Sequence, residues 1–326
     1  MALPIDRRAL IGLAANAAAA RALAAADPPP DPTEVVPLWP GRPPGARADL
    51  PKETVTDRVK TSGFQDRFVT GVGAPLMTVF RPARPNGAAL LVVPGGGYIR
   101  VVIDKEGFEV GQRMAQAGIT CFVLRYRLPA EGWDRAADVP LQDAQRAIRL
   151  IRAGAARWAI DPKRVAAMGF SAGGHVAASL ATRSAEQVYA PVDAADRLDT
   201  RPDLSALMYP VIDMARPFAH AGSRAALLGK TPAAAAEAAY SPHRHVSRQT
   251  PPTFLVHAWD DPAVPTENSL NYLAELRTAK VPAEAHLFEE GGHGFGIALA
   301  RGKPAAAWPD LFLAWAARHG FLGGEA

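Results

Sequence analysis

The chain is poor in cysteine: Cys121 is the one thiol in 326 residues, so no disulfide can close within it. The surrounding stretch, Ile-Thr-Cys-Phe-Val-Leu-Arg, reads as a buried strand in which cysteine serves as a small core side chain. Charge of either sign is also nearly balanced. The net charge is +4, of which Arg7, Arg8 and Arg21 against Asp6 supply +2, leaving +2 for everything downstream. No Lys/Arg cluster is interleaved with aromatics, so nucleic acid is not an expected partner. No run beyond the first thirty residues approaches the ~18 apolar residues of a membrane helix, and no membrane anchor is expected. The glycines at 95–97 lack G-x-G-x-x-G spacing and are not followed by Gly-Lys-Ser/Thr, which argues against a nucleotide site. No H-E-x-x-H type spacing occurs, and neither a metal nor any other cofactor is expected.

What is present begins with the N-terminus. Residues 6–26, DRRALIGLAANAAAARALAAA, have a charged start, an alanine-rich apolar middle and small residues at Ala22, Ala24 and Ala26. That is the layout of an export signal, and the Arg7-Arg8 pair suggests the twin-arginine variety, with delivery to the periplasm or medium. Residues 27–50 are rich in proline, cannot hold a regular helix, and read as an extended lead-in. Residues 51–326 are expected to form one catalytic domain.

From Thr54 onward strand patterns appear, and then an alternation sets in. Apolar runs such as AALLVV, ITCFVL, RVAAMGF and PTFLVHA alternate with segments of helical spacing such as PLQDAQRAIRLIR and PTENSLNYLAELRTAKV. Continuous apolar strands between amphipathic helices predict a mostly parallel sheet covered by helices on both faces, an α/β fold. In such sheets sites gather beyond the carboxyl ends of the strands. The region around 231–252 interrupts the alternation and reads as a small excursion above the sheet.

Four strand ends carry chemistry. Ser171 stands in Gly-Phe-Ser-Ala-Gly, directly after RVAAMGF and directly before a helix, the context of a nucleophile elbow. A serine hydroxyl needs a base. His293, in the glycine-rich loop GGHGFG after the last strand, is the best placed of the eight histidines. The imidazole in turn needs a carboxylate. Asp261, fixed by the prolines of DDPAVP, is the first choice, with Asp260 the runner-up and Asp213 third. The order Ser, Asp, His is that of an α/β-hydrolase. Backbone amides among Gly95, Gly96 and Gly97, in PGGGY after a buried strand, and that of Ala172 at the start of the helix are expected to form an oxyanion hole. Tyr98 either lines the acyl pocket or packs, and Asp104 and Glu106 either bind substrate or start a helix.

Together PGGGY, PLQDAQRAIRLIR, RVAAMGFSAGGH, DDPAVPTENS and FEEGGHGFG resemble the esterase/lipase branch of the α/β-hydrolase superfamily. Over about Val35 to Gly296 the chain is similar to exported acetyl-xylan-esterase-like enzymes of the xylanase-B-like or BD-FAE type. The resemblance implies an α/β-hydrolase fold with Ser171 as nucleophile, Asp261 as acid, His293 as base, and Gly96, Gly97 and Ala172 as oxyanion donors. It differs from many relatives in having Pro94 where they have His-Gly. It implies a serine esterase that removes short acyl groups, acetyl above all, from an acylated carbohydrate such as xylan or from a small ester. General carboxylesterase, formamidase, lactonase and peptidase chemistries use the same three residues and stand as alternatives.

Overall fold

A computed structural model describes residues 30–59 and 64–323. The expected export signal over 1–26 lies outside the described residues. The apolar runs become strands, each with its side chains buried on both faces. They are β5 (Ala89–Val93), β7 (Thr120–Arg125), β8 (Val165–Phe170), β9 (Ser205–Met208), β10 (Thr253–Ala258) and the half-buried edge strand β11 (Ala283–Phe288). With β1 (Val35–Pro37) and β4 (Leu76–Phe80) they form an eight-stranded sheet in the order β1-β4-β7-β5-β8-β9-β10-β11. The pairs β1–β4 and β4–β7 are antiparallel; all pairs from β7 to β11 are parallel. A separate three-stranded antiparallel sheet holds β2 (Thr54–Asp57), β3 (Arg67–Thr70) and β6 (Val101–Val102).

Successive strand residues face opposite ways, and each face has its own helices. Phe254 of β10 packs on Phe312 and Trp315 of α7 (Trp308–Arg318). Its neighbour Leu255 joins a second cluster with Tyr272 and Leu276 of α6 (Glu267–Thr278). The other α-helices among the described residues are α1 (Glu109–Gln116), α2 (Val139–Ala153), α3 (Ala172–Thr182), α4 (Ala221–Leu228) and α5 (Ala234–Ala239). The last two, with a short 3-10 turn at Pro242–His245, make up the excursion after β9. The helix expected from Glu106 begins instead as a π-turn over Asp104–Phe108 and becomes α-helical at Glu109.

The proline-rich lead-in differs from expectation in one respect. It is extended, but Val35–Pro37 hydrogen-bond to β4 as the outermost strand, and Leu38 and Trp39 are buried. The indole N–H of Trp39 donates to Asp143 Oδ1 at 2.9 Å. Asp143 also receives the fully buried Arg127 guanidinium at 2.8 Å. Proline permits this because an edge strand leaves one row of amides unpaired. The compact unit therefore starts at Thr33 rather than at residue 51.

Register places the working loops side by side. Val93 pairs with Gly169, so the glycine loop after β5 and the turn after β8 emerge together. Ala258 pairs with Phe288, so the loops bearing Asp261 and His293 leave adjacent strands. All four open at the carboxyl edge of the parallel strands.

Candidate active site

Ser171 sits between β8 and α3 with φ 52° and ψ −117°, a backbone conformation that non-glycine residues rarely hold. The turn is so tight that a Cβ on Gly173 would fall 2.1 Å from the carbonyl oxygen of Val93. Its strain is held by the Ser171 amide, which donates to Met208 O at 3.0 Å, and by the Ser171 carbonyl, which accepts from Val211 N at 3.0 Å. The hydroxyl is thereby lifted to the floor of a cavity of about 270 Å³.

The Oγ of Ser171 lies 2.9 Å from His293 Nε2, and His293 Nδ1 lies 2.7 Å from Asp261 Oδ2. A carboxylate only accepts, so Nδ1 carries the proton and Nε2 presents its lone pair to the hydroxyl. Asp261 is the most heavily supported member. Its Oδ1 accepts from the amides of Ala263 and Val264, while Oδ2 also receives His257 Nε2 at 3.2 Å. Burial alone would raise this carboxyl, but the hydrogen bonds from His257 and His293 hold it far below the carboxylate range. It therefore stays anionic, as an orienting group must.

The rival acids serve elsewhere. Asp260 Oδ1 accepts from the amides of Gly291 and Gly292 at 2.8 and 2.7 Å, which braces the loop that carries His293. Asp213 bonds Ala215 N and Ser241. Asp104 is bound by the Arg67 guanidinium at 2.7 Å and fastens β3 to the π-turn.

The glycine loop uses its first amide structurally. Gly95 N donates to Glu106 Oε2 at 2.9 Å. The next two residues, Gly96 and Gly97, take φ 132° and 66° and line the cavity with Ser171. Ala172 opens α3, so its amide belongs to the unpaired N-terminal turn. Tyr98, expected either to line the pocket or to pack, packs: it is buried, and its hydroxyl donates to His175 Nδ1 at 2.6 Å. His175 Nε2 in turn reaches the Tyr240 carbonyl at 2.6 Å, which ties the glycine loop, α3 and the excursion together. Full burial pushes the His175 imidazole down to about 4.

Several residues act here that the sequence did not single out, and Glu106, read there as binding substrate or starting a helix, acts as a brace. His257 Nε2 faces two acceptors, Asp261 Oδ2 and Val264 O, so it carries the proton and Nδ1 accepts from Ser269 at 2.8 Å. Glu106 Oε1 accepts from the Tyr209 hydroxyl, which also accepts from Gly296 N, while the Tyr209 ring stands edge-on to His293 at 5.3 Å. One buried carboxylate thus links the glycine loop to the histidine loop. His220, at the head of α4, contributes to the cavity wall; burial, then the nearness of His293, lowers its affinity for a proton. Arg58, Arg100 and Lys105 also line the cavity. Among the described residues there is no cluster of three or more His, Cys, Asp or Glu side chains able to hold a metal, and no helix long and apolar enough to cross a membrane.

A base with its lone pair on a hydroxyl, held by a buried anion beside unpaired amides, is equipped to attack a carbonyl and hold the resulting negative charge. Comparison with known proteins points the same way. Residues 77–276 match the family model described as BD-FAE. The chain is 35% identical to an acetylxylan esterase of Xylanibacter ruminicola over 69% of its own length and 44% of that protein. It is 36% identical to endo-1,4-beta-xylanase B of Butyrivibrio fibrisolvens over 64% of this chain and 32% of the relative. The chain thus spans less than half the length of these two curated relatives. Among solved structures, an acetyl ester-xyloside bifunctional hydrolase from Caldicellulosiruptor lactoaceticus superposes with a TM-score of 0.72 and 35% identity, covering 90% of this chain and 98% of that one. The fold is that of the α/β-hydrolase esterases.

Proposed function

The chain belongs to the BD-FAE family, and from that premise we propose that it is a serine esterase that removes acetyl groups from xylan or its oligosaccharides. The observation that carries this reading is the unbroken path from Ser171 Oγ through the His293 imidazole to Asp261. Ser171 Oγ attacks the ester carbonyl carbon as its proton passes to His293 Nε2. Negative charge develops on the carbonyl oxygen, where the amides of Gly96, Gly97 and Ala172 receive it; each such donor is worth on the order of 3 kcal/mol in the transition state. The intermediate collapses, the C–O bond to the sugar breaks, and His293 returns the proton to the departing sugar hydroxyl. Water, deprotonated by the same nitrogen, then cleaves the acyl-serine to free acetate. Asp261 fixes the Nδ1–H tautomer and stabilises the imidazolium of both steps.

The acetyl and carbohydrate parts of the proposal are supported by the relatives: one is an acetylxylan esterase, and the structural neighbour acts on acetyl esters and xylosides. Export of the chain through residues 1–26 suits a polymeric substrate. Mass spectrometry of protein recovered outside the cytoplasm is expected to find an N-terminus beyond Ala26, and full-length protein confined to the cytoplasm would refute export.

Acetate release from acetylated xylo-oligosaccharides tests the activity, with p-nitrophenyl acetate, a lactone and N-formylkynurenine run alongside. Ester turnover that falls by about 10⁴-fold or more in Ser171→Ala, with the thermal midpoint kept, is the expected result. Turnover of the formyl amide or the lactone alone would move the reading to another bond.

A further inference from the structure

We propose that the cavity selects esters that also carry a carboxylate, which it holds between Arg100 and Lys105. The inference rests on the esterase reading and names a substrate class within it. Arg100 follows the glycine loop, and its guanidinium lies 5.1 Å from the centre of the Phe68 ring. Arg58 lies over the same ring at 5.2 Å, but its charge is answered by Asp66 at 2.7 Å. Arg100 has no such answer. Its Nε is shut off from solvent with no hydrogen-bond partner, and the side chain makes no ion pair among the described residues. Buried donors are almost always bonded, so the Arg100 guanidinium carries unmet bonding capacity beside the reaction cavity. The acids facing it are committed: Asp66 to Arg58, and Glu106 to Gly95 and Tyr209. Burial, then the neighbouring Arg58, depresses the guanidinium's hold on its proton, while Asp66 and Glu106 act in the opposite sense without forming an ion pair with it.

Lys105 repeats the pattern from the other side. It lines the cavity on the π-turn, and its ammonium lies near Gly294, the residue after His293, where a Cβ would be 3.5 Å from Nζ. Among the described residues it too forms no ion pair. Two cations without an ion pair among the described residues therefore line the cavity that holds Ser171, one by the glycine loop and one by the histidine loop. An acetylated neutral sugar offers neither of them an anion. A carboxylate does, and the flat guanidinium stacked on Phe68 presents the paired N–H groups that suit one. The carboxylate can belong to the acyl group, as in a dicarboxylic half-ester, or to the alcohol, as in a uronic acid branch.

The test compares matched pairs at low salt: p-nitrophenyl butyrate against mono-p-nitrophenyl succinate, and acetylated xylo-oligosaccharides without and with a uronic acid branch. The wild-type enzyme is expected to show a kcat/KM about tenfold higher for the charged member of at least one pair, mainly through KM. The pair that responds identifies the side of the ester on which the carboxylate sits. That ratio is expected to collapse toward one in the double variant Arg100→Gln/Lys105→Gln, and to shrink in the wild type at high salt. A wild-type ratio near or below one in both pairs, or a ratio the double variant leaves unchanged, would overturn the inference while leaving the esterase reading intact. A wild type inactive on all four esters would instead overturn the esterase reading, and this inference with it.

Discussion

Two sets of groups around the cavity follow opposite rules. On the Ser171 side the groups that orient the imidazole are spoken for inside the protein: Asp261 accepts four hydrogen bonds, His257 makes three, and Asp260 ties the histidine loop to its neighbour. Around the same space Arg100 and Lys105 form no ion pair among the described residues, and Arg100 Nε has no hydrogen-bond partner. The difference separates two tasks. A group that must move one proton along a fixed path needs its geometry settled before substrate arrives. A group that recognises substrate must keep its bonding capacity in reserve. On this reading full internal bonding marks the groups that orient the base, and unmet bonding capacity marks the groups that meet substrate.

Changes to the bonded groups are expected to be the costlier. Asp261→Asn keeps the shape but offers the imidazole an ambiguous partner, and kcat is expected to fall by about 10³- to 10⁴-fold with little change in melting temperature. Steady-state kinetics beside calorimetry checks this, and a loss under tenfold would mean that the carboxylate is a packing group. Glu106→Gln is next. It weakens the link between Gly95 and Tyr209, so the glycine and histidine loops lose their common brace. Here kcat is expected to drop ten- to a hundredfold with KM nearly constant; an effect on KM alone would make Glu106 one of the groups that meet substrate instead.

A further effect concerns stability rather than rate. His175, buried with a pKa near 4, stays neutral in the fold at a pH where the unfolded chain, near 6.5, binds a proton. Unfolding therefore takes up a proton between these values. The stability contributed by the neutral imidazole is complete above about 6.5 and is lost as pH falls toward 4, by roughly 3 kcal/mol. Denaturant titrations of wild type and His175→Gln should differ by about this amount in the total stability lost across that window. Equal losses would show that the Tyr98–His175–Tyr240 link tolerates the charge.

Much of the reacting group was readable in the sequence because its chemistry demands local signatures. A serine in a turn that tight needs glycine at 173, and a strand-end histidine among glycines stands out among eight. The parallel core was equally open, since strands buried on both faces leave continuous apolar runs. The choice between Asp260 and Asp261 was not local. Both adjoin the same strand, and a difference of one residue decides which carboxylate touches an imidazole and which caps loop amides. The supports were hidden for the same reason. Glu106 and Tyr209 are 103 positions apart, and His257 read as one more residue of a buried strand. Arg100 was beyond reach altogether, because what distinguishes it is a missing partner, which requires knowing every neighbour. At the N-terminal side, Val35–Pro37 joined the sheet despite surrounding prolines, since an edge position asks little of their amides.

One measurement bears on all of this most directly: reaction with a fluorophosphonate, followed by peptide mass spectrometry to find the modified atom. A single adduct on Ser171, formed at least a hundredfold more slowly in His293→Ala, is the outcome that the hydrogen-bonded path requires. Modification at another residue, or labelling of Ser171 at an undiminished rate without the imidazole, would show that the hydroxyl, the ring and the buried carboxylate do not act as one unit.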